Sequence, residues 1–224
     1  MGDEQEFTGC YTIFRGVSAS RRLSAVAERM EYTTAMRAGA HHIHTEAWYL
    51  DWERDQPSRH EYWQGEVFAM AGGTPRHNAL AMRVGAMLDV RLRGGPCRTF
   101  SPDQRFRTPS GLMTYADASV ICGKIELASG TSDTAINPTV LVEVLSPSTR
   151  EYDRGAKLAM YKEIPTLRDI VLVDPDSVQI DHHFRTHQDW ETRVYRGLDA
   201  VVRLAGIPVQ LPLFDVYDGA PDPT

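Results

Sequence analysis

Residues 139–149 read TVLVEVLSPST, and the way Glu143 is accommodated inside that run decides the fold. Val140, Leu141, Val142, Val144 and Leu145 are β-branched or aliphatic, and Ser146-Pro147 stops them, so the spacing predicts a short interior strand. A carboxylate there is costly unless a metal, a cation or a proton compensates its charge. A second acid has the same setting upstream. Asp117 lies in YADASVIC, residues 115–122, which also reads as a strand. Downstream, Asp153, Lys157 and Tyr161 recur at four-residue spacing and share one face of a predicted helix. Two strand-borne carboxylates beside a lysine are the components of a magnesium-dependent phosphodiesterase site. Magnesium prefers hard oxygen ligands, keeps several waters and is held by one or two carboxylates. Asp117 and Glu143 would supply these, with a strand carbonyl near Val144, while Lys157 orients or helps deprotonate the attacking water.

The same residues admit readings without a metal. Glu143 and Lys157 can form a buried structural salt bridge. Asp117 can cap an edge strand or pair with an arginine, and Asp153 is expected to pair with Lys157 along the helix. His77, near a helix start, is either a general base or phosphate contact, or a plain surface histidine. Glu66 follows a glycine turn and, like Glu61, also reads as a surface acid.

At 224 residues and 25.1 kDa the chain suits one domain with an added terminal segment. A net charge of −6 argues against coating nucleic acid by bulk electrostatics but leaves room for a local groove. Cys10, Cys97 and Cys122 are odd in number and widely spaced, which predicts reduced thiols in a cytoplasmic protein and gives no zinc signature. No apolar stretch has the length of a membrane span. Lys124, Lys157 and Lys162 are the only lysines, so the arginines of residues 76–107 are weak evidence for a nucleic-acid face.

Residues 1–40 carry arginines among serines and alanines without an apolar period, and read as a poorly ordered extension, with Met30 or Met36 as alternative starts. The cluster His41-His42-Ile43-His44 reads as solvated. The domain then covers 41–218, with 219–224 as a tail. Its expected order is a helix over 45–53 capped by Thr45, two short strands in 61–70, and a helix from Thr74-Pro75 to about Arg93. Strands follow at 97–107 and 115–122, then a polar loop over 123–137 and the Glu143 strand. Ser148-Thr149-Arg150-Glu151 reads as a capping box opening a helix to about Glu163. A strand at 170–174 and a hairpin of 178–184 with 190–195 come next. The proline-rich C-terminal segment offers little structure to argue. This is an α/β domain around a mixed central sheet with a C-terminal β extension.

The strings EYWQGEVFAMAGGTPRHN, CRTFSPDQRFRT, TYADASVICG, NPTVLVEVLSPSTREYDRGAKLAMY and IPTLRDIVLV, in that order, resemble the Uma-two family of the PD-(D/E)XK nuclease superfamily. The resemblance spans roughly residues 45–217. It implies a restriction-endonuclease-like core of order α-β-β-β-α-β and hydrolysis of phosphodiester bonds in DNA with Mg2+ or Mn2+. By motif position Asp117 matches the first acid, Glu143 the second and Lys157 a lysine on the following helix; Glu66 and His77 match polar positions flanking the first helix. Two departures stand out: Ala116 replaces the proline before the first acid, and Leu145 stands where the superfamily has its lysine. Cleavage of both strands of a duplex would suit a homodimer. The alternatives are a catalytically inactive nuclease fold that binds nucleic acid or a protein partner, or a metal-independent accessory protein.

Overall fold

The computed structural model describes residues 43–70 and 72–222. The expectations for residues 1–40, for Cys10 and for His41-His42 lie outside that range. The start signals of the first elements are realised. Helix α1 (Glu46–Trp52) is capped by Thr45, whose hydroxyl accepts from the Trp48 N–H at 3.1 Å. Strands β1 (His60–Trp63) and β2 (Glu66–Ala69) form a hairpin around Gln64 (φ 51°) and Gly65 (φ 90°), the left-handed pair that a two-residue turn requires. Helix α2 (Pro75–Leu92) starts on the Thr74 cap with Pro75 in its first turn.

Each long strand expected between residues 97 and 122 breaks in two. The first gives β3 (Cys97–Phe100) and β4 (Arg105–Arg107); the second gives β5 (Met113–Tyr115) and β6 (Ala118–Cys122). β3 and β6 belong to a six-stranded sheet, whereas β4 and β5 pair with the β1–β2 hairpin in a five-stranded one. Residues 101–104 and 116–117 carry the chain between sheets. Asp117 therefore sits on a crossing and not within a strand, which corrects the strand expected over 115–122. The polar loop also contributes a short strand, β7 (Thr134–Ala135), parallel to β4.

β8 (Val140–Val144) is buried throughout. It pairs antiparallel with β6 and parallel with β9 (Asp169–Asp174). Its alternation serves two cores. Val140, Val142 and Val144 pack with Leu80, Val84 and Leu88 of α2, while Leu141 and Leu145 pack with Leu158, Met160 and Tyr161 on the other side of the sheet. Each such side chain contributes roughly 1.5–3 kcal/mol of burial. Glu143 belongs to the second face. The order α2, β3, β6, β8, crossover helices, β9 is the α-β-β-β-α-β core, and the hairpin of β10 (Gln179–Arg185) and β11 (Trp190–Arg196) extends the sheet.

Four further expectations are corrected. The helix over 148–163 is two short ones, α3 (Arg150–Arg154) and α4 (Ala156–Lys162), broken at Gly155, whose φ of −109° and ψ of −103° are not helical. No capping box forms: Ser146 Oγ accepts from the Thr149 N–H at 3.2 Å, and the Thr149 hydroxyl donates to Asp153 at 2.6 Å. The C-terminal segment is structured. β12 (Val201–Arg203), β13 (Gln210–Pro212) and α5 (Leu213–Tyr217) place Val202, Leu211, Leu213 and Val216 in the core over α2. Cys97 and Cys122 are not free thiols. They are register partners on β3 and β6, with Cα atoms 3.9 Å apart, and are joined by a disulfide. A separation of 25 residues hides a pairing that only the strand register creates.

Candidate active site

The β6–β8 register pairs Ala118 with Val142, so one step further it brings Asp117 to Glu143. At that step the backbone of Asp117 turns away towards the other sheet, and its side chain replaces the missing ladder partner. Asp117 Oδ2 accepts the Val144 N–H at 2.7 Å. His77, in the first turn of α2, brings Nε2 to 3.4 Å from the same oxygen. Gly73 makes room for this ring: a Cβ there would lie 2.4 Å from His77 Nδ1. Burial disfavours the imidazolium, but hydrogen bonding and charge from Asp117, with help from Asn78 and the Val144 carbonyl, outweigh it and raise the His77 pKa.

Glu143 is 5% exposed. Its Oε1 accepts from Lys157 Nζ at 3.0 Å and from the Tyr161 hydroxyl at 2.6 Å, while Oε2 has no hydrogen bond among the described residues. Burial pushes its pKa up to about 8; the charges of Asp117 and Asp153 add to this, and Lys157 and Tyr161 oppose it. Lys157 is itself buried, 2.9 Å from Glu61 Oε1 and 3.7 Å from Asp153 Oδ1. Burial favours the free amine, but Glu143 and Glu61 hold the ammonium, whose pKa stands well above its ordinary value. Burial also raises the Asp153 carboxyl, against the pull of Lys157 and the Thr149 hydroxyl.

The structure thus brings together Asp117, Glu143, Lys157 and His77 at the C-terminal end of β8. Glu66 is half-buried at the start of β2, opposite Trp63, on the same face as Glu61 but nearer the turn. The acid from this hairpin that reaches Lys157 is Glu61, which also accepts from the Thr114 and Tyr152 hydroxyls. Glu61 reads from sequence as a surface acid. The signal that marks it is the one that marks Glu143: an acid in a strand run, here followed by Tyr62-Trp63, both buried. Several arginines of residues 76–107 have acidic or carbonyl partners: Arg83 and Arg91 reach Asp215, Arg93 reaches Asp89, Arg105 reaches Asp133 and Arg107 reaches Glu46. Of these, Arg105 is buried and Arg93 is largely exposed.

No group of three or more histidines, cysteines or acids is arranged to hold a metal among the described residues. The donor set is two carboxylates and a nearby carbonyl. Asp117 and Glu143 each commit one oxygen to the protein and, among the described residues, keep the other free of hydrogen bonds. Such a set suits a hard cation that retains most of its waters and does not suit zinc. With the Glu143 pKa pushed up to about 8 by burial, a cation held here would compete with the proton of this carboxyl. Affinity is expected to rise about tenfold per pH unit below that value and to level off above it. Calorimetric titration across the neutral range checks this; an affinity independent of pH would contradict it.

The sequence profile of the Uma2 family, described as "Putative restriction endonuclease", matches residues 47–213. Two uncharacterized proteins of Synechocystis sp. are similar. The protein slr1290 is 35% identical over 173 residues, covering 76% of this chain and 90% of that one. The protein sll1609 is 28% identical over 142 residues, covering 63% and 80%. A crystal structure of a "putative nuclease belonging to DUF820" from Anabaena variabilis superposes with a TM-score of 0.61 at 21% identity, covering 75% of this chain and 96% of that chain, and shows the same fold. No helix among the described residues is long and apolar enough to cross a membrane. With well over half of its length matched by the family profile, the chain belongs to the Uma2 family.

Proposed function

We propose that this protein is a divalent-metal-dependent endonuclease that hydrolyses phosphodiester bonds in DNA, with Mg2+ or Mn2+ held by Asp117 and Glu143. The observation that carries the reading is the pair of register-matched carboxylates, each with one uncommitted oxygen, beside a buried ammonium. When bound, the cation would offset charge on the scissile phosphate and make a coordinated water more acidic. Lys157, held in its charged form, acts as a fixed positive charge that orients Glu143 and the water; it is not a proton acceptor. His77 lies beside Asp117, where it can hold a proton or contact a phosphate oxygen. Glu66 has a lesser claim, resting on its motif position.

One copy carries one such site, so cutting both strands of a duplex calls for a symmetric homodimer. A DNA substrate suits a cytoplasmic protein, in which the Cys97–Cys122 bond would face a reducing thiol pool. A second reading has an observation of its own. Glu143 is nearly enclosed and bonded to Lys157, as a structural ion pair would be, which fits a nuclease fold that binds nucleic acid without cutting it. Incubating supercoiled plasmid with purified protein, with Mn2+ or with EDTA, separates the two. Nicked or linear product that requires Mn2+ supports the nuclease, and binding without product supports the second reading.

A further inference from the structure

Lys157 meets two carboxylates at nearly equal distance, Glu61 at 2.9 Å and Glu143 at 3.0 Å, with Asp153 at 3.7 Å. These acids are not equivalent. Glu143 keeps an oxygen free of hydrogen bonds among the described residues. Glu61 is fully committed: Oε1 takes Lys157 and the Thr114 hydroxyl at 2.5 Å, and Oε2 takes the Tyr152 hydroxyl at 3.0 Å. It is 6% exposed and belongs to β1, in the five-stranded sheet. Thr114 lies on β5, three residues before Asp117, so one carboxylate ties both the Asp117 segment and the Lys157 helix to the hairpin.

The charge count of the cluster gives Glu61 its consequence. A lone ammonium against Glu143 would neutralise it, and a neutralised carboxylate is a poor ligand for a dication. A second carboxylate on the same ammonium removes that neutralisation. We propose that Glu61 is a positioning residue for the cation site: it serves as the counter-ion of Lys157, leaving the charge of Glu143 available to a divalent metal. This rests on the metal-dependent reading above. Glu61 acts entirely through Lys157 and touches neither the cation nor the substrate.

The test is calorimetric titration of Mn2+, at mildly alkaline pH where the Glu143 carboxyl is ionised, into the full chain as wild type, Glu61→Gln and Tyr152→Phe. The amide of Glu61→Gln keeps the size of the side chain, can still accept from Lys157 and Thr114, and lets the Tyr152 hydroxyl turn round to accept. It removes only the charge. Tyr152→Phe removes a hydrogen bond to Glu61 and keeps the charge. The expected result is a Kd for Mn2+ weakened at least about tenfold in Glu61→Gln and changed less than about threefold in Tyr152→Phe, with both variants folded by circular dichroism. Equal Mn2+ affinity in Glu61→Gln and wild type overturns the proposal while leaving the metal site intact. Equal weakening in both variants also overturns it, because the effect would then follow packing and not charge. Should Glu61→Gln fail to fold, Glu61→Asp replaces it; the retained charge is then expected to keep Mn2+ affinity within about threefold of wild type, and a larger loss overturns the proposal. A wild type that binds no Mn2+ overturns the metal reading and this inference together.

Discussion

Glu143→Gln is expected to reduce metal-dependent cleavage to background while the protein stays folded. The amide nearly matches the carboxylate in shape, and its carbonyl can accept from Lys157 and Tyr161 as Oε1 does now. The other terminus becomes an N–H2 group pointing where the uncommitted oxygen would face a cation, a donor in place of a ligand. Because burial and the neighbouring acids push the Glu143 pKa up to about 8, the cation-free side chain is largely protonated at neutral pH, and the amide replaces a group that is already neutral. The melting temperature should therefore move by only a few degrees. Loss of cleavage with a retained melt fits a ligand. A variant that melts far below wild type would instead mark Glu143 as the structural partner of Lys157.

Lys157→Met has a large expected effect on stability as well as on rate. Lys157 is the only cation within ion-pair distance of Glu61 and Glu143 among the described residues. Removing it strands Glu61 and Asp153, beside a Glu143 carboxyl that is already largely protonated at neutral pH, a loss of about 3–5 kcal/mol for a buried pair broken from one side. The pH dependence has a definite sign. Stranded carboxyls have folded-state pKa values above their unfolded ones, so the folded variant takes up protons and its stability recovers as pH falls towards the ordinary carboxyl range. Urea melts of wild type and Lys157→Met at neutral and mildly acid pH measure this directly. A deficit that stays constant across the two would mean that shape, and not charge, fills the space under β8. Metal binding should survive in the folded variant, since the ammonium is not a ligand, while cleavage slows.

Much of this site is legible in the sequence, for a physical reason. An acid in an apolar strand run is expensive enough to need an explanation, which is why Glu143 stands out, and the four-residue spacing that carries Asp153, Lys157 and Tyr161 survives even though Gly155 breaks the helix between them. The cap at Thr74 with Pro75 likewise fixed where α2 begins, and so where His77 stands. What stayed hidden depends on contacts between distant segments. The move of the chain between two sheets at residues 101–104 and 116–117 has no local signature, because each half of the strand looks like strand. The Cys97–Cys122 bond and the docking of residues 201–217 onto α2 depend on register and tertiary packing. Glu61 was hidden by its exposed-looking neighbours Arg59 and His60, although Tyr62 and Trp63 carried the opposite message.

Calorimetric titration of Mn2+ into wild type and into Glu143→Gln at mildly alkaline pH decides whether Asp117 and Glu143 hold a divalent cation. Saturable binding at one site per chain is expected in wild type and none in a folded Glu143→Gln. Binding of equal affinity in both proteins, or no binding in wild type, would contradict it.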